Sequence, residues 1–373
     1  MKSVTVNALQ FKKNSSGIGV MIRELFSRYT MLTARHCRVI LSGDSPEFPA
    51  SPGTELVRIP WTYRQNVRRI LFQTFALGRR YGKDSILLTT DSKAPFLLPR
   101  SCTLVPLITD LAVFRMPEVY QRSRTVWWRL QYRYLCRRAD FFLSISEFTK
   151  SEMTKLLGIP PEKIHVVPCA GPESLAPVED PEQLRCLREK YRLPDRYLLF
   201  VGNANPRKNL MRMIRAFDLA AERVGADHHL VVAGGQGWKF SEDEVLREIR
   251  HRDQIHFIGF VEDEDMPALY SAAEVFLFPT LYEGFGIPVI EAQMCGTPVL
   301  TSNCSSLPEV AGDTAVYADP RNEESICEGL VRLLEDPQLA AKLRQKGFEN
   351  ARRFSWQCSA ELLEKILQRE VGQ

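Results

Sequence analysis

Short strand-like runs alternate with helical stretches along this chain, and the alternation happens twice. In the first half "SVTVNALQ", "CRVILSG", "SILLTT", "TLVPLIT", "FFLSIS" and "IHVVP" read as strands. Helical spacing runs through about 17–32, 65–81, 122–138 and 147–157, between several of them. Such a chain has few ways to fold. A helix between two strands carries the chain back to the same end of the sheet, so the strands lie parallel and helices cover both faces.

The pattern breaks at "PCAGPESLAPVEDPEQ" (168–183), where Pro168, Pro172, Pro177 and Pro181 interrupt any apolar period. It then resumes with "RYLLFVG", "HLVVAGG", "QIHFIGF", "VFLFPT", "TPVLTSN" and "AVYAD". A length of 373 residues exceeds what one core usually holds. We therefore expect an α/β protein of two doubly wound, Rossmann-like domains. Residues 1–170 form the first, 171–192 a linker, 193–352 the second, and 353–373 a C-terminal amphipathic helix that packs back on the first domain. Sheets of this kind bind ligands at the carboxyl ends of their strands, so two of them facing each other would place a site in the cleft between them. Ser241 with Glu244 reads as a helix-opening capping box, and Asp336 before Pro337 as an N-cap and first helical residue.

Composition closes other routes. Hydrophobic residues at 45% and charged residues at 25% are globular values. No apolar run approaches the roughly 18 residues of a spanning helix. The start "MKSVTVNALQFKKN" is a strand pattern, too brief and polar for a signal peptide. Nine cysteines without a paired spacing suggest reduced thiols and a cytoplasmic protein. Charge is uneven: residues 61–140 carry 15 Lys or Arg against 5 Asp or Glu, a balance of +10 in a chain whose total is +4. This block is either a solvated face or a surface for anionic lipid or an acidic substrate.

Three junctions carry chemistry. In "PTLYEGFGIPVIEAQMCGTP" (279–298) a strand ends, a glycine corner follows, and a helix opens near Ile287-Pro288. Gly284 and Gly286 let backbone N–H groups approach a ligand, and the helix start favours phosphate. Glu283 in the corner and Glu291 one turn into the helix can accept hydrogen bonds from hydroxyls. The plainer alternative is one capping acid and one buried structural acid. In "LLFVGNANPRKNL" a strand leads through Asn203 to Arg207 and Lys208, with a helix from about Asn209; on the same sheet edge these cations suit a diphosphate. Near the N-terminus Gly17-Ile18-Gly19 opens a helix but lacks the full dinucleotide fingerprint, which argues against NAD.

The stretch "EGFGIPVIEAQMCGTPVLTSNCSSLPEVAGDTAVYADP" resembles the retaining nucleotide-sugar glycosyltransferases of family 4, with the GT-B fold. The likeness continues through "VGNANPRKNL", "HFIGFVEDEDMPALYSAAEVFLFPT", "ITDLAVFRMPEVY" and "LSISEFTKSEMTKLLGIPPEKIHVVP", in the family's order over most of the chain. Within the family it is most similar to bacterial polysaccharide mannosyl- and rhamnosyltransferases. The resemblance implies a metal-independent hexosyltransferase with no cofactor beyond its nucleotide-sugar donor, GDP-mannose first among candidates. Its acceptor would be a glycan or lipid-linked glycan. Glu283 would meet the donor sugar, Arg207 and Lys208 the departing diphosphate, and Glu291 the ribose. Backbone of Gly284, Phe285, Gly286 and Ile287 would hold sugar and phosphate, and Phe260 and Val261 the base. Gly17 would approach the diphosphate from the first domain. A nucleotide-sugar epimerase, a phosphorylase or an inactive glycan-assembly scaffold are the alternatives.

Two departures stand out. Many relatives have His-Asp where this chain has Thr109-Asp110, the acceptor side, and many have arginine where it has Asn203. Other features receive plainer readings. "DED" (263–265) opens a helix rather than binding metal. His228-His229 starts a strand, and Cys295 and Cys304 are small buried side chains. "RSRTVWWRLQYRYLCRR" (122–138) lacks any nucleic-acid module around it. It is a packed helix with a basic outer face, or a peripheral contact with the inner membrane surface.

Overall fold

A computed structural model describes residues 1–12, 17–62, 66–90, 95–225, 227–235 and 245–372. The chain divides into two units, Met1–Cys169 with Phe354–Gln373, and Ala170–Arg353. The capping box expected at Ser241 and Glu244 lies outside the described residues.

The first unit is built on a parallel seven-stranded sheet, β1 (Ser3–Asn7), β2 (Cys37–Leu41), β3 (Glu55–Arg58), β4 (Ser85–Thr89), β5 (Thr103–Ile108), β6 (Phe142–Ser144) and β7 (Ile164–Val166), in the order β3-β2-β1-β4-β5-β6-β7. β4 and β5 are buried at every position, as continuous apolar runs covered on both faces must be. β3 has no counterpart among the expected strands. Its "ELVR" is largely exposed at the sheet edge, where no apolar alternation is demanded. The helical stretch read at 65–81 is also not uniform: α-helix at Asn66–Leu71 and Leu77–Tyr81 flanks a π-helical turn at Phe72–Ala76.

The C-terminal helix Trp356–Val371 packs against the Gly17–Leu32 helix of this unit. Ser355 caps it, accepting from Cys358 N–H. Trp356 is buried, Ser359 Oγ donates to the Pro168 carbonyl at 2.7 Å, and Arg35 Nη2 donates to the Gly372 carbonyl at 2.6 Å.

The second unit holds a parallel six-stranded sheet, β8 (Tyr197–Val201), β9 (His229–Ala233), β10 (Ile255–Gly259), β11 (Val275–Phe278), β12 (Val299–Ser302) and β13 (Ala315–Ala318), ordered β10-β9-β8-β11-β12-β13. Within 171–192, the stretch read as a linker, Pro181–Tyr191 forms a helix that belongs with this unit, capped by Asp180. Asp336 caps the Pro337–Ala351 helix, its Oδ1 accepting from Leu339 N–H at 2.9 Å. The sheet reverses its order between β8 and β11, because β8 leads to β9 on one side and pairs β11 on the other. Such a reversal opens the connections on either side and is where these sheets receive ligands.

Candidate functional site

The connection after β8 and the connection after β11 emerge at that reversal. Leu281 N–H donates to the Arg207 carbonyl at 2.9 Å, tying the two together. After β8, Asn203 Oδ1 accepts from Gly235 N–H at 3.1 Å, which holds the turn against the end of β9. A Cβ at Gly234 would collide with the carbonyl of Gly202, so this close crossing needs glycine. Pro206–Lys208 then makes one 3-10 turn, capped by Asn205, and the long helix begins at Leu210.

Glu283 is where the two connections converge. Lys208 Nζ lies 2.9 Å from its Oε1, and Arg207 Nη1 lies 3.4 Å from Oε2 and 3.2 Å from the Tyr282 carbonyl. The ammonium also sits 4.4 Å from the centre of the Phe278 ring. Burial alone would push the Glu283 carboxyl up, but Arg207 and Lys208 outweigh it and hold the carboxyl below its ordinary range. Burial pulls Lys208 down, against the opposing pull of Glu283. Glu283 is thus an ionised anchor between two cations, unsuited to donating a proton.

The glycine corner is fixed from behind by residues that sequence reading missed. Ser305 Oγ accepts from Glu283 N–H at 3.2 Å. Ser306 Oγ, fully buried, lies 3.0 Å from the Glu283 carbonyl and 2.7 Å from that of Phe285. Asn209, in a left-handed conformation at φ 62°, donates from Nδ2 to the carbonyls of Pro279 (2.9 Å) and Pro320 (2.6 Å). Asn tolerates the left-handed region, but nothing local in the sequence showed which turns these side chains would tie together. Gly286 stands at φ 107° and carries no side chain to cap the Ile287–Met294 helix behind it.

Glu291 projects from that helix, within reach of the Lys208 charge but bonded to a different partner. Tyr270 donates its phenol to Glu291 Oε2 at 2.8 Å. Burial raises the carboxyl above its ordinary range, partly offset by Tyr270. Beyond β10, Phe260 is exposed and Val261 buried, following Gly259 at φ 70°.

Gly17, Thr109 and Asp110 belong to the first unit. Gly17 is the exposed first residue of the helix after β1, and Thr109 and Asp110 follow β5 half-buried. Asp110 serves its own loop: Oδ1 accepts from Ala112 N–H at 3.0 Å, and its carbonyl accepts from Tyr132 Oη at 3.2 Å. The acids at 263–265 do stand at the opening of the Met266–Ser271 helix. No side chain caps Met266–Ser271, and Asp265 instead accepts from Lys190 Nζ and Tyr191 Oη, each at 2.6 Å. His229 does begin β9, with His228 bonded to Glu274 at 2.8 Å. Cys295 is buried, its thiol pushed up to about 12 by burial, whereas Cys304 is only half-buried.

Comparison with known proteins shows which family the chain resembles. A family model described as glycosyl transferases group 1 matches residues 187–352, and one described as Glycosyltransferase Family 4 matches residues 15–170. The chain is 33% identical over 280 residues to O-antigen chain mannosyltransferase B of Escherichia coli, covering 74% of this chain and 72% of that protein. It is 31% identical over 233 residues to the serotype-specific mannosyltransferase WbdA of Escherichia coli, covering 60% of this chain but only 28% of that longer protein. Among solved structures, sucrose-phosphate synthase from Thermosynechococcus elongatus matches with a TM-score of 0.77 at 18% identity, over 99% of both chains. WaaG, a glycosyltransferase involved in lipopolysaccharide biosynthesis, matches at 0.72 and 19% identity, over 99% of this chain and 100% of that one. The shared fold is that of the GT-B glycosyltransferases.

Proposed function

The chain belongs to the family 4, group 1 glycosyltransferases, and from that premise we propose that it moves mannose from GDP-mannose to a growing bacterial glycan with retention at the anomeric carbon. The observation that carries this reading is the buried Glu283 held between Lys208 and Arg207 at the reversal of the second sheet. Two cations there suit the diphosphate of a nucleotide sugar, and a fixed carboxylate beside them suits the hydroxyls of its sugar. Mannose rests on the names of the relatives, which are mannosyltransferases.

The chemistry follows from the electrostatics. The bond from the anomeric carbon to the diphosphate oxygen breaks as the acceptor hydroxyl closes on the same face of the sugar. The acceptor proton passes to the departing phosphate oxygen, so no side-chain base is needed. Lys208 and Arg207 stabilise the charge that develops on the leaving group. Glu283 aligns the sugar, and the uncapped helix start at Gly286 offers N–H groups to the phosphate. Glu291 accepts from the ribose hydroxyls, while Phe260 and Val261 meet the base. The cations do the work that a metal ion does in other transferases.

We assign acceptor binding to the first unit, near Thr109, and read the acceptor as a glycan or lipid-linked glycan at the inner membrane face. An exposed surface of this unit supports the lipid side of that reading. Leu71, Phe75, Val126 and Leu130 are exposed, and Phe96 joins their helices with ring centres 6.2 Å from Phe75 and 6.3 Å from Trp127. The Arg122–Arg138 helix carries six arginines and no acid. No helix among the described residues is long and apolar enough to cross a membrane, so the contact would be peripheral.

The decisive experiment is a thermal-shift screen against GDP, UDP, dTDP and ADP sugars, followed by transfer with the donor that stabilises most. A shift specific to GDP-mannose and an α-linked product from the α-linked donor support the proposal. An inverted product, a requirement for a divalent cation, or a shift with another donor overturns the corresponding part. Donor binding without transfer to any acceptor would favour the inactive scaffold, the reading that Thr109 in place of histidine keeps open.

A further inference from the structure

Glu291 is a long side chain, and one hydrogen bond decides where its carboxylate points. Tyr270 Oη donates to Oε2 at 2.8 Å, and among the described residues no other hydrogen bond to this carboxylate is seen. Tyr270 itself cannot move. Its side chain is fully buried, its ring meets Phe276 edge-on with centres 5.4 Å apart, and its carbonyl accepts from Thr297 Oγ1 at 2.6 Å. The phenol hydroxyl is the one polar group of this side chain, and it is spent on Glu291.

Tyr270 also lies between two parts of the site. It stands in the Met266–Ser271 helix, which follows shortly after Phe260 and Val261. That helix is anchored at its start by Lys190 and Tyr191 on Asp265, and at its end by Ser271 Oγ, which accepts from Val178 N–H at 2.9 Å. A shift of this short helix would therefore move the base loop and the Glu291 carboxylate together.

We infer that Tyr270 is a positioning residue for the nucleotide, fixing Glu291 so that its other oxygen, Oε1, meets the ribose hydroxyls at a set distance from the base loop. This rests on the reading of Glu291 as the ribose contact. The charges around the carboxylate fit the role. Burial raises it and Asp263 adds to the rise, while Tyr270 and Lys208 draw it back toward the ionised form that accepts from a diol. Without the phenol, Glu291 both swings freely and takes a proton more readily.

The test compares a ribonucleotide with its 2′,3′-dideoxy form. Calorimetry on the full chain would first establish which of GDP, UDP and ADP binds, and then titrate that nucleotide and its dideoxy analogue into wild type, Tyr270→Phe and Glu291→Gln. Wild type should prefer the ribonucleotide. Tyr270→Phe should lose about tenfold in ribonucleotide affinity, the worth of one hydrogen bond to a charged group, and leave dideoxy affinity where it was. Glu291→Gln should lose the preference as well. In turnover the Phe variant should raise KM by more than it lowers kcat, which a general loss of folding would not do.

A wild type that binds none of these nucleotides, or binds the two forms equally, removes the ribose reading and the inference with it. A wild type that discriminates alongside a Tyr270→Phe that discriminates equally well overturns the inference alone. If Tyr270→Phe does not fold, Thr297→Val releases the Tyr270 carbonyl instead, and an unchanged ribo-to-dideoxy ratio in that variant overturns the inference.

Discussion

Lys208 and Glu283 form an ion pair at 2.9 Å in which both side chains are largely withdrawn from water, the lysine 13% and the glutamate 9% exposed. The pair joins the connection after β8 to the connection after β11 across the reversal of the second sheet. Taking two charges out of water costs several kcal/mol each, and their attraction recovers that only when further partners share the charge. Arg207 and the Phe278 ring are those partners. A cation held in place in this way would meet the diphosphate of the proposed donor without reorganising.

Lys208→Ala should therefore lower kcat by about 10²- to 10³-fold, the usual loss when a preorganised stabilising group is removed. Arg207 still neutralises Glu283, so the unliganded protein should fold. Turnover with the saturating nucleotide sugar, measured beside circular dichroism, checks this; an unchanged kcat would remove Lys208 from the leaving-group role.

The two glutamates should change stability in opposite directions. Glu283 titrates below its ordinary 4.5 in the folded protein, so its ionised form stabilises the fold at all pH values above that point. The stabilisation disappears as pH falls through the lowered value. Glu283→Gln strands two cations and should cost about 3 kcal/mol at neutral pH. Glu291 is raised above 4.5, so what it contributes is present in acid and is lost as pH rises through the raised value. At neutral pH its buried charge is a net cost, and Glu291→Gln should raise the unliganded melting point. Thermal melts at pH 4 to 8 without nucleotide would show the two variants moving apart; a shift in the same direction would contradict the assigned charge states.

Gly286 tests the corner between them. At φ 107° it occupies a conformation that L side chains rarely adopt, and a Cβ there would lie 2.7 Å from Leu307 Cδ2. Gly286→Ala must push Leu307 aside and reshape the helix start offered to phosphate. We expect a loss of about 1–3 kcal/mol in stability and a larger proportional loss of donor affinity. Equal donor affinity in a stable variant would separate the corner from phosphate binding.

These expectations follow what the sequence made legible. Strands buried on both faces, such as β4 and β5, announce themselves as apolar runs, while the exposed edge strand β3 does not. Glu283, Arg207 and Lys208 could be grouped from strand ends alone, because parallel topology sends every carboxyl end to one side. Tyr270, Asn209, Ser305 and Ser306 could not. Their roles depend on which turn meets which, and hydrogen bonds across 21 or more residues leave no local period to read. Asp265 stands at the opening of its helix, as read, but its side chain turns elsewhere. An acid before a helix suggests a cap, yet Lys190 and Tyr191 offered stronger partners from another element.

The first unit's basic, apolar face gives the last prediction. Val126 and Leu130 lie one helical turn apart on a helix with arginines on either flank, and neither is needed by the core. Arg133 and Arg137 continue the same line toward the helix end and are exposed. Each such cation contributes about 1 kcal/mol near an anionic surface, so Arg133→Gln with Arg137→Gln should weaken vesicle binding by roughly 30-fold. Val126→Ser with Leu130→Ser should weaken it further at high salt, where charge is screened and apolar insertion dominates. Flotation with vesicles of phosphatidylglycerol and phosphatidylcholine, against phosphatidylcholine alone, reads both effects. Transfer to a soluble acceptor should be unchanged in both double variants, since the donor-site residues belong to the other unit. Equal flotation of wild type and variants on anionic vesicles would mean that this face is solvated rather than docked.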